Sequence, residues 1–405
     1  MSSVRAAPGG TPLTEAAIPS TRRIRVLHVI DQLWGGGAEE SLQQILLGTA
    51  GAEFQHGVAV LRPGTDGLGC LEDSGVEIFA PQRSLGSRLA RLRHVLRTMR
   101  AYAPDLVHTT LAEASIAGRI AAKLAGVPVL TSLVNPPYAP EVRRTENAAA
   151  WKLRVVQAID ILLSRYATTR FHAVTDLVAD VAAANLHVDR GRIHVVPRGR
   201  DLDRLGQPSP QRRWAVRAAL GIGTDAPVVL NVGREEPQKG HVHLLRAFRM
   251  VRDQLPDAML VIAGRHGNST TAIDGTVCEL GLDGAVHRLG FRSDVPDLLA
   301  AADVFACSSL YEGAAGAVLE AMAMHLPVVT HDIPAMREIL EGGRCGTLVP
   351  VADPAALAAA IGAVFRDPST AAARAAAARA SFEQRYGLPA CLDGMRRLYQ
   401  DLARR

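Results

Sequence analysis

Short apolar runs rich in β-branched residues alternate with helical segments along the whole chain, and this alternation limits the fold more than any other feature. The first run, residues 24–30, is followed by a glycine-rich turn and then by a helical pattern over residues 38–47. Further strands are predicted at 57–61, 76–80, 106–108, 127–132, 169–174 and 193–196, with helices at 87–101 and 139–166 among those between them. Such a repeat predicts a parallel sheet covered by helices on both faces.

The second half repeats this pattern after residues 201–210, which carry charge, glycine and two prolines and are typical of a linker. Strands are predicted at 228–232, 259–263, 286–289, 304–308, 327–330 and 347–349, and helices at 241–254, 368–386 and 388–402. Because 405 residues exceed what one core usually holds, we expect two doubly wound α/β domains. Ligands of such folds bind at the carboxyl ends of the strands, so two facing domains would enclose a cleft.

Composition and the chain ends narrow the possible functions. Residues 1–23 are small and polar and have no apolar stretch like that of a signal peptide, so we expect a disordered tail. No run of about 18 apolar residues indicates a transmembrane helix. The five cysteines are isolated, which predicts neither a zinc site nor a disulfide framework and favours the cytoplasm. The net charge of +5 suits anionic ligands or lipid surfaces, although a solvated arginine-rich surface explains it equally well.

The loop at residues 233–240, GREEPQKG, is a first candidate site between a predicted strand and a predicted helix. Arg234 presents a planar fork of donors that matches phosphate oxygens, and Lys239 adds a second charge. Free N–H groups at the start of the helix add partial positive charge. The loop therefore suits a diphosphate. The alternative is a solvated turn in which Glu235 and Glu236 pair with the two cations.

Residues 308–323 form a second candidate site. Glu312 is predicted on the loop after a strand, and Glu320 about one turn inside the helix that begins near Gly316. Small residues at 313–317 would let a ligand approach the backbone closely. A carboxylate at 312 could accept hydrogen bonds from a sugar, and one at 320 could bind the two hydroxyls of a ribose. Two glutamates near a helix N-terminus are also common without any ligand, since the helix dipole favours them.

Both segments resemble glycosyltransferase family 4, whose members are retaining enzymes of the GT-B fold. The second domain of that family typically carries a G-R-x4-K-G loop and then an E-G-F-G-x4-E-A-M-A segment. The matching positions are Gly233, Arg234, Lys239, Gly240, Glu312, Gly313, Glu320, Ala321, Met322 and Ala323. The likeness covers nearly the whole second half and is weaker in the first half, where it rests on residues 36–39 and 104–108.

The resemblance implies a role for each matched residue. Arg234 and Lys239 would hold the nucleotide diphosphate during catalysis. Glu320 would bind the ribose, and Glu312 would face the transferred sugar as a catalytic residue. The donor-binding positions would be Gly36, Gly37, Gly233, Arg234, Lys239, Gly313, Ala314, Ala315, Gly316 and Glu320.

Two features of the first half would complete this site. The glycine loop 35–37 would approach the diphosphate or the acceptor, although a tight strand–helix turn explains it equally well. His108, at the end of a strand, would contact the donor sugar as a further catalytic residue. Many relatives carry a second histidine two positions later, where this chain has Thr110.

The sequence departs from the family pattern at three places. Ala314-Ala315 replaces the usual Phe-Gly, and Ile333-Pro334 replaces a Gly-Gly pair. The linker, usually Pro-Asn-Gly-Val-Asp, reads Pro197-Arg198-Gly199-Arg200-Asp201. Asp201-Leu202-Asp203 has the DxD form that binds Mn²⁺ in another glycosyltransferase fold, but it lies in the linker, so no metal and no cofactor are expected.

The expected function is therefore transfer of a sugar from a nucleotide-sugar donor to a glycan or lipid-linked acceptor, with no nucleic-acid partner. Residues 24–200 would form the acceptor-side domain, residues 201–385 the nucleotide-sugar-binding domain, and residues 386–405 a helix that crosses back to the first domain. Two alternatives remain. One is a GT-B epimerase or phosphorylase, and the other is a non-catalytic sugar-nucleotide-binding or partner subunit, which the lost Phe-Gly and Gly-Gly pairs favour.

An arginine-rich helix at residues 87–101 suggests a membrane contact. Its leucines and Met99 are predicted to face inward, and the arginines in and before it are Arg83, Arg88, Arg91, Arg93, Arg97 and Arg100. Such a face could dock on an anionic membrane that carries the acceptor, at its cytoplasmic side. The alternative is an ordinary amphipathic surface helix.

Overall fold

The structure, a computed structural model, describes residues 22–33, 36–63, 71, 74–140 and 150–404. The expected disordered tail lies outside the described residues except for its last two positions. Trp34 and Gly35 of the glycine loop and residues 141–149 of the predicted long helix also lie outside them.

Seven parallel strands form the sheet of the first domain. They are Ile24–Ile30 (β1), Phe54–Val60 (β2), Glu77–Phe79 (β3), Leu106–Thr110 (β4), Val129–Leu133 (β5), Arg170–Ala173 (β6) and Ile193–Val195 (β7). They lie in the order β3-β2-β1-β4-β5-β6-β7. The central strands are buried on both faces. Strand β1 is mostly apolar, whereas β4 (LVHTT) and β5 (VLTSL) also bury polar side chains.

Five described helices cover this sheet. They are Gly37–Thr49 (α1), Arg88–Tyr102 (α2), Ala112–Ala125 (α3), Ala150–Tyr166 (α4) and Asp176–Leu186 (α5). Side-chain caps start two of them, because Ser87 Oγ accepts a hydrogen bond from the Ala90 N–H and Thr175 Oγ1 accepts one from the Val178 N–H. Leu89, predicted to face inward on α2, is instead 53% exposed, since Val95, Thr98, Met99 and Tyr102 form the buried face of that helix.

Six parallel strands form the sheet of the second domain. They are Val228–Val232 (β8), Met259–Ala263 (β9), Val286–Arg288 (β10), Val304–Cys307 (β11), Val328–His331 (β12) and Thr347–Val349 (β13), in the order β10-β9-β8-β11-β12-β13. Two helices precede them, Leu202–Leu205 (α6) and Pro210–Ala219 (α7), so the predicted linker contains a short helix. The remaining helices are His241–Gln254 (α8), Thr270–Glu279 (α9), Val295–Ala301 (α10), Gly316–Ala323 (α11), Pro334–Ile339 (α12), Pro354–Arg366 (α13), Pro368–Arg385 (α14) and Leu388–Ala403 (α15).

The strand orders confirm the predicted class of two doubly wound α/β domains. In each sheet the chain reverses its direction of winding between two central strands, β1 and β4 in the first domain and β8 and β11 in the second. Open α/β sheets bind ligands at such switch points. The loops after β1, β8 and β11 are those that carry the predicted site residues.

Helix α15 returns to the first domain. Met395, Leu398, Tyr399 and Leu402 pack in one apolar cluster with residues of β1, β4 and β5, and α15 also contacts α1. The chain therefore crosses between the domains twice, at residues 196–201 and at residues 386–388. The two crossings join at Arg200, whose N–H donates to Tyr386 O at 2.9 Å and whose carbonyl accepts from the Leu388 N–H at 3.1 Å.

A further contact between the domains lies at the N-terminus of α5. The Glu338 carboxylate of α12 accepts hydrogen bonds from the Asp176 and Leu177 N–H groups, both at 3.0 Å. Because an anion at a helix N-terminus is stabilised by the helix dipole, this bond couples the two domains near one end of the cleft.

Candidate functional site

A cleft of about 650 Å³ lies between the two domains, at the carboxyl ends of their central strands. Its walls include most of the residues predicted to bind the donor, namely Gly36, Gly37, Gly233, Arg234, Lys239, Glu312, Ala314, Ala315, Gly316 and Glu320. Residues that follow three different strands, β1, β8 and β11, thus meet in one place, as the sequence motifs predicted.

Arg234 follows β8 and is exposed to the cleft. Within the described part of the chain its guanidinium has no hydrogen-bond or ion-pair partner, so its donors are available to an anion. The loop then turns through a 3-10 helix at Pro237–Lys239. Gly240 starts α8 with a φ of +63°, and a Cβ added there would lie 2.2 Å from the Ser308 carbonyl oxygen. Only glycine therefore lets this loop reach the end of β11.

Lys239 and Glu312 form an ion pair where the loop after β8 meets the loop after β11. Glu312 is buried, and its Oε1 also accepts a hydrogen bond from Ser309 Oγ at 2.7 Å. The structure thus joins the two motifs, because the lysine of one neutralises the first glutamate of the other. Of the two predicted phosphate-binding cations, Lys239 is paired, and Arg234 has no ion-pair partner among the described residues.

Glu235 does not neutralise Arg234 or Lys239, as the solvated-turn alternative would require. It is 1% exposed and binds the Arg288 guanidinium, His266 Nδ1 and Thr270 Oγ1. Burial opposes ionisation, but the hydrogen bonds from these three partners hold the pKa of Glu235 below its usual value. Glu235 therefore anchors the loop to β10 and α9.

Glu320 lies one turn inside α11, as predicted, and its carboxylate has a partner that the motifs did not indicate. Arg200 Nε donates to Glu320 Oε1 at 2.7 Å, and both side chains are buried. Burial raises the pKa of the Glu320 carboxyl, and the charge of Arg200 opposes this rise.

Arg198 is a second linker arginine that enters the cleft. Its Nη1 donates to the Ala314 carbonyl oxygen at 3.2 Å and would lie 2.9 Å from a Cβ added at Gly37, while its buried Nε has no partner among the described residues. Burial, together with the neighbouring charge of Arg200, lowers the pKa of the Arg198 guanidinium to about 10, so it stays protonated at neutral pH. Arg198 and Arg200 are the two positions at which the linker departs from the family pattern by gaining a charge. The sequence alone did not reveal that both side chains point into the cleft.

His108 does not lie in the cleft, and its position contradicts the expected contact with the donor sugar. The ring is 1% exposed in the middle of β4, which continues two residues beyond the predicted strand end. Its Nδ1 bonds the Tyr399 hydroxyl at 3.0 Å, and its Nε2 bonds Ser132 Oγ at 2.7 Å. The ring therefore faces α15 rather than the second domain.

Gly313 also differs from its expected role, since it does not line the cleft wall. A Cβ added there would lie 1.9 Å from the Val134 carbonyl oxygen of the first domain, and the Gly313 carbonyl accepts a hydrogen bond from Thr175 Oγ1 at 3.3 Å. Gly313 thus permits close contact between the domains. Ala314, in place of the usual phenylalanine, packs with apolar side chains of the first domain.

Asp201 and Asp203 have a structural role. Asp201 Oδ1 accepts a hydrogen bond from the Asp203 N–H at 2.9 Å and caps α6. Across the described residues no group of three or more His, Cys, Asp or Glu side chains is arranged to hold a metal ion.

Two protein-family models match the chain. Residues 35–204 match the model described as Glycosyltransferase Family 4, and residues 212–381 match the one described as Glycosyl transferases group 1. Together they span both domains.

Curated relatives show the same likeness. A UDP-Gal:alpha-D-GlcNAc-diphosphoundecaprenol alpha-1,3-galactosyltransferase of Escherichia coli is 28% identical, over 70% of this chain and 73% of its own. A GDP-mannose-dependent alpha-(1-6)-phosphatidylinositol monomannoside mannosyltransferase of Mycolicibacterium smegmatis is 31% identical, over 75% of this chain and 76% of its own.

Among solved structures, Anabaena HepE in complex with UDP and glucose superimposes with a TM-score of 0.82. The superposition covers 94% of this chain and all of that one, at 23% identity. The fold is therefore shared over almost the full length.

Proposed function

The chain is a group 1 glycosyltransferase of family 4, and from this premise we propose that it moves a sugar from a UDP-sugar to a hydroxyl acceptor with retention of anomeric configuration. One observation carries the proposal. Arg234 presents to the interdomain cleft a guanidinium that no other described residue pairs with, next to the Lys239–Glu312 ion pair. A single anionic group in the cleft could therefore bind both Arg234 and Lys239.

The chemistry follows from where charge develops. As the bond between the anomeric carbon and the diphosphate oxygen breaks, negative charge grows on the diphosphate. Arg234 and Lys239 stabilise that charge more in the transition state than in the ground state, which lowers the barrier. The proposal gives no step to a metal ion or cofactor, because these cations and the N–H groups at the start of α11 meet the leaving group.

Retention requires the acceptor oxygen to bond to the face that the diphosphate leaves. No side chain is assigned as a nucleophile, so we infer that the acceptor attacks from the leaving-group side and passes its proton to the departing phosphate. Glu312, freed from Lys239 when the diphosphate takes over that cation, would accept hydrogen bonds from the transferred sugar. Exclusion of water from the closed cleft would limit hydrolysis of the donor.

The names of the relatives support the substrate classes. The Escherichia coli relative is named for UDP-Gal and a diphosphoundecaprenol-linked acceptor, and the Mycolicibacterium smegmatis relative for GDP-mannose and a phosphatidylinositol glycolipid. We propose a glycan or lipid-linked acceptor here, in polysaccharide, glycolipid or cell-envelope glycoconjugate synthesis. A UDP-sugar is the preferred donor in this proposal, and GDP-sugars are the alternative that the assay below separates.

We further propose that the first domain contacts the cytoplasmic face of an anionic membrane through α2 and α4. Arg93, Arg97 and Arg100 lie exposed on α2, and α3 packs between that helix and α4. Helix α4 buries only Ser164 and exposes an apolar stripe at Trp151, Val155, Leu162 and Tyr166. Its exposed charges, Lys152, Arg154 and Arg165, are all basic, which complements anionic lipid. None of the helices that the structure describes has the length and apolarity to cross a bilayer.

The enzymatic proposal is tested by release of nucleotide from a panel of UDP-, GDP- and ADP-sugars, with candidate acceptors and with water alone. We expect turnover with a UDP-sugar, reduced roughly 100-fold or more by Arg234→Gln. Arg337→Gln is the control, because Arg337 is an exposed arginine of the same domain that pairs only with Asp332. Binding of nucleotide sugars without release in any acceptor mixture would favour a non-catalytic subunit, and a changed sugar without release would favour an epimerase.

The membrane proposal is tested by co-sedimentation with vesicles of phosphatidylglycerol and phosphatidylcholine. Trp151→Ser with Leu162→Ser should reduce binding several-fold, as should Arg93→Gln with Arg97→Gln. The control is Trp214→Ser, since Trp214 is 61% exposed on the second domain. Binding that none of these changes affects, or a dimer in sedimentation velocity that the α4 changes dissociate, would refute the membrane contact.

A further inference from the structure

Arg200 is buried at the point where the linker meets the N-terminus of α11. Its side chain is 2% exposed, with Nε on Glu320 Oε1 at 2.7 Å and Nη1 on the Gly199 carbonyl oxygen at 2.9 Å. A Cβ added at Gly316 would lie 2.0 Å from Nη2. The first turn of α11 is therefore shaped around this guanidinium.

The pair leaves half of the Glu320 carboxylate available. Oε1 is taken by Arg200, whereas no described residue forms a hydrogen bond to Oε2, and Glu320 lines the cleft. Burial and the nearby Glu40 both disfavour a charged Glu320, and Arg200 is the main group that opposes them. Arg200 thus sets the orientation of this carboxylate and supplies the positive charge beside it.

We propose that Arg200 is a positioning residue for nucleotide recognition, which holds the Glu320 carboxylate turned so that Oε2 accepts a hydrogen bond from a ribose hydroxyl of the donor. This inference rests on the proposed function, because it takes the cleft to be the donor site. The family pattern has valine at this position, and valine carries no charge. This positioning role is therefore specific to the linker sequence of this chain.

The main chain of Arg200 also connects the two domains. It forms the hydrogen bonds that join the two crossings between the domains, to Tyr386 and Leu388. The residue that orients the ribose ligand is therefore also the residue at which the second domain is connected to the first. Ribose binding, through the side chain, and the interdomain connection, through the main chain, meet in one residue.

The test compares the dissociation constants of UDP and 2′-deoxy-UDP by calorimetry. The variants are Arg200→Met, which removes the charge at similar length, and Arg200→Lys, which keeps it. Arg249→Met is the control, since Arg249 lies on α8 outside the cleft lining and pairs with Asp253 at 2.6 Å.

We expect the wild type to prefer UDP over 2′-deoxy-UDP by roughly ten-fold or more, because loss of the hydroxyl leaves Glu320 Oε2 without a partner in the bound state. Arg200→Met should bind UDP roughly ten-fold more weakly and lose most of that preference. Arg200→Lys should restore part of the preference, and Arg249→Met should leave it unchanged.

Wild-type affinity and preference in Arg200→Met would overturn the inference, even if that variant were less stable. If Arg200→Met does not fold, Arg200→Lys decides. Weaker binding of UDP with a reduced preference over 2′-deoxy-UDP is expected of a positioning role, and wild-type affinity and preference in Arg200→Lys would overturn it. Absence of any UDP or GDP binding to the wild type would overturn the proposed function as well. Binding that is indifferent to Arg200 overturns this inference alone.

Discussion

Replacement of His108 by leucine separates a structural histidine from a catalytic one. In the structure His108 bonds the Tyr399 hydroxyl of α15 and the Ser132 hydroxyl of β5, far inside the first domain. Leucine removes both bonds. Ser132 keeps its bond to His172 Nδ1 at 2.7 Å, but the buried Tyr399 hydroxyl loses the His108 partner.

The magnitude follows from this difference. A buried polar group left without a partner costs about 1–3 kcal/mol, and the lost bond to Ser132 adds roughly 1 kcal/mol, so we expect the free energy of unfolding to fall by about 2–4 kcal/mol. Tyr399→Phe alone should lower the free energy of unfolding by about 1–3 kcal/mol, because it leaves the buried His108 Nδ1 without this partner. The double variant should cost less than the sum of the two by roughly 1–2 kcal/mol, since both partners are then removed together.

The assays are chemical denaturation followed by circular dichroism and turnover of the donor at low temperature, where all variants remain folded. Turnover should stay within about two-fold of the wild type, because no atom of His108 reaches the cleft. A fall of roughly 100-fold in turnover with little loss of stability would refute this reasoning and restore His108 as a contact of the donor sugar. Additive effects of the two substitutions on stability would refute the link to Tyr399.

Three other predictions follow from buried groups. Gly316→Ala should weaken UDP binding in calorimetry, because the added Cβ would displace the Arg200 side chain. Gly275→Ala is the control, since a Cβ there meets nothing within 4 Å. Equal effects of the two substitutions on UDP binding would contradict this prediction. Arg217→Met should lower the free energy of unfolding by roughly 3–5 kcal/mol in thermal denaturation, since this 1% exposed guanidinium donates to four carbonyls and to Asp303. Arg249→Met, at an exposed ion pair, should lower it by almost nothing. Burial lowers the pKa of His108 to about 3, lowers those of His56 and His172 to about 4, and places that of His28 well below its usual value. The unfolded chain therefore takes up more protons below pH 6.5, so the melting temperature should fall from pH 6.5 toward pH 4, and a constant melting temperature over that range would contradict it.

The alternation of strands and helices predicted the fold with small errors in element bounds. A short apolar run rich in β-branched residues marks a strand, because parallel strands buried on both faces select such residues. The errors lie at element ends, as with β4, which runs on to Thr110. The exposure of Leu89 shows the same limit, since a leucine in a helical stripe does not reveal whether a neighbouring element covers it.

The motifs predicted which loops carry the site but not which side chains face each other. Arg234, Lys239, Glu312 and Glu320 reach the same cleft, as their positions after β8 and β11 required. The pairing of Lys239 with Glu312 and the capture of Glu235 by Arg288 depend on which strands are neighbours. His108 was assigned to the cleft from its position at a strand end, but the sheet continues past it and α15 covers its ring.

By itself, the sequence determined the fold class, the family and the short-range spacing of the site, because these depend on local periodicity and on residues close together in the chain. Only the tertiary structure decided how residues distant in sequence compensate one another. Arg200 and Glu320 are separated by 120 positions, and His108 and Tyr399 by 291. Their pairing depends on two domains and a returning helix that pack in one arrangement. That packing therefore decides whether a buried charge or ring binds a ligand or another residue of the protein.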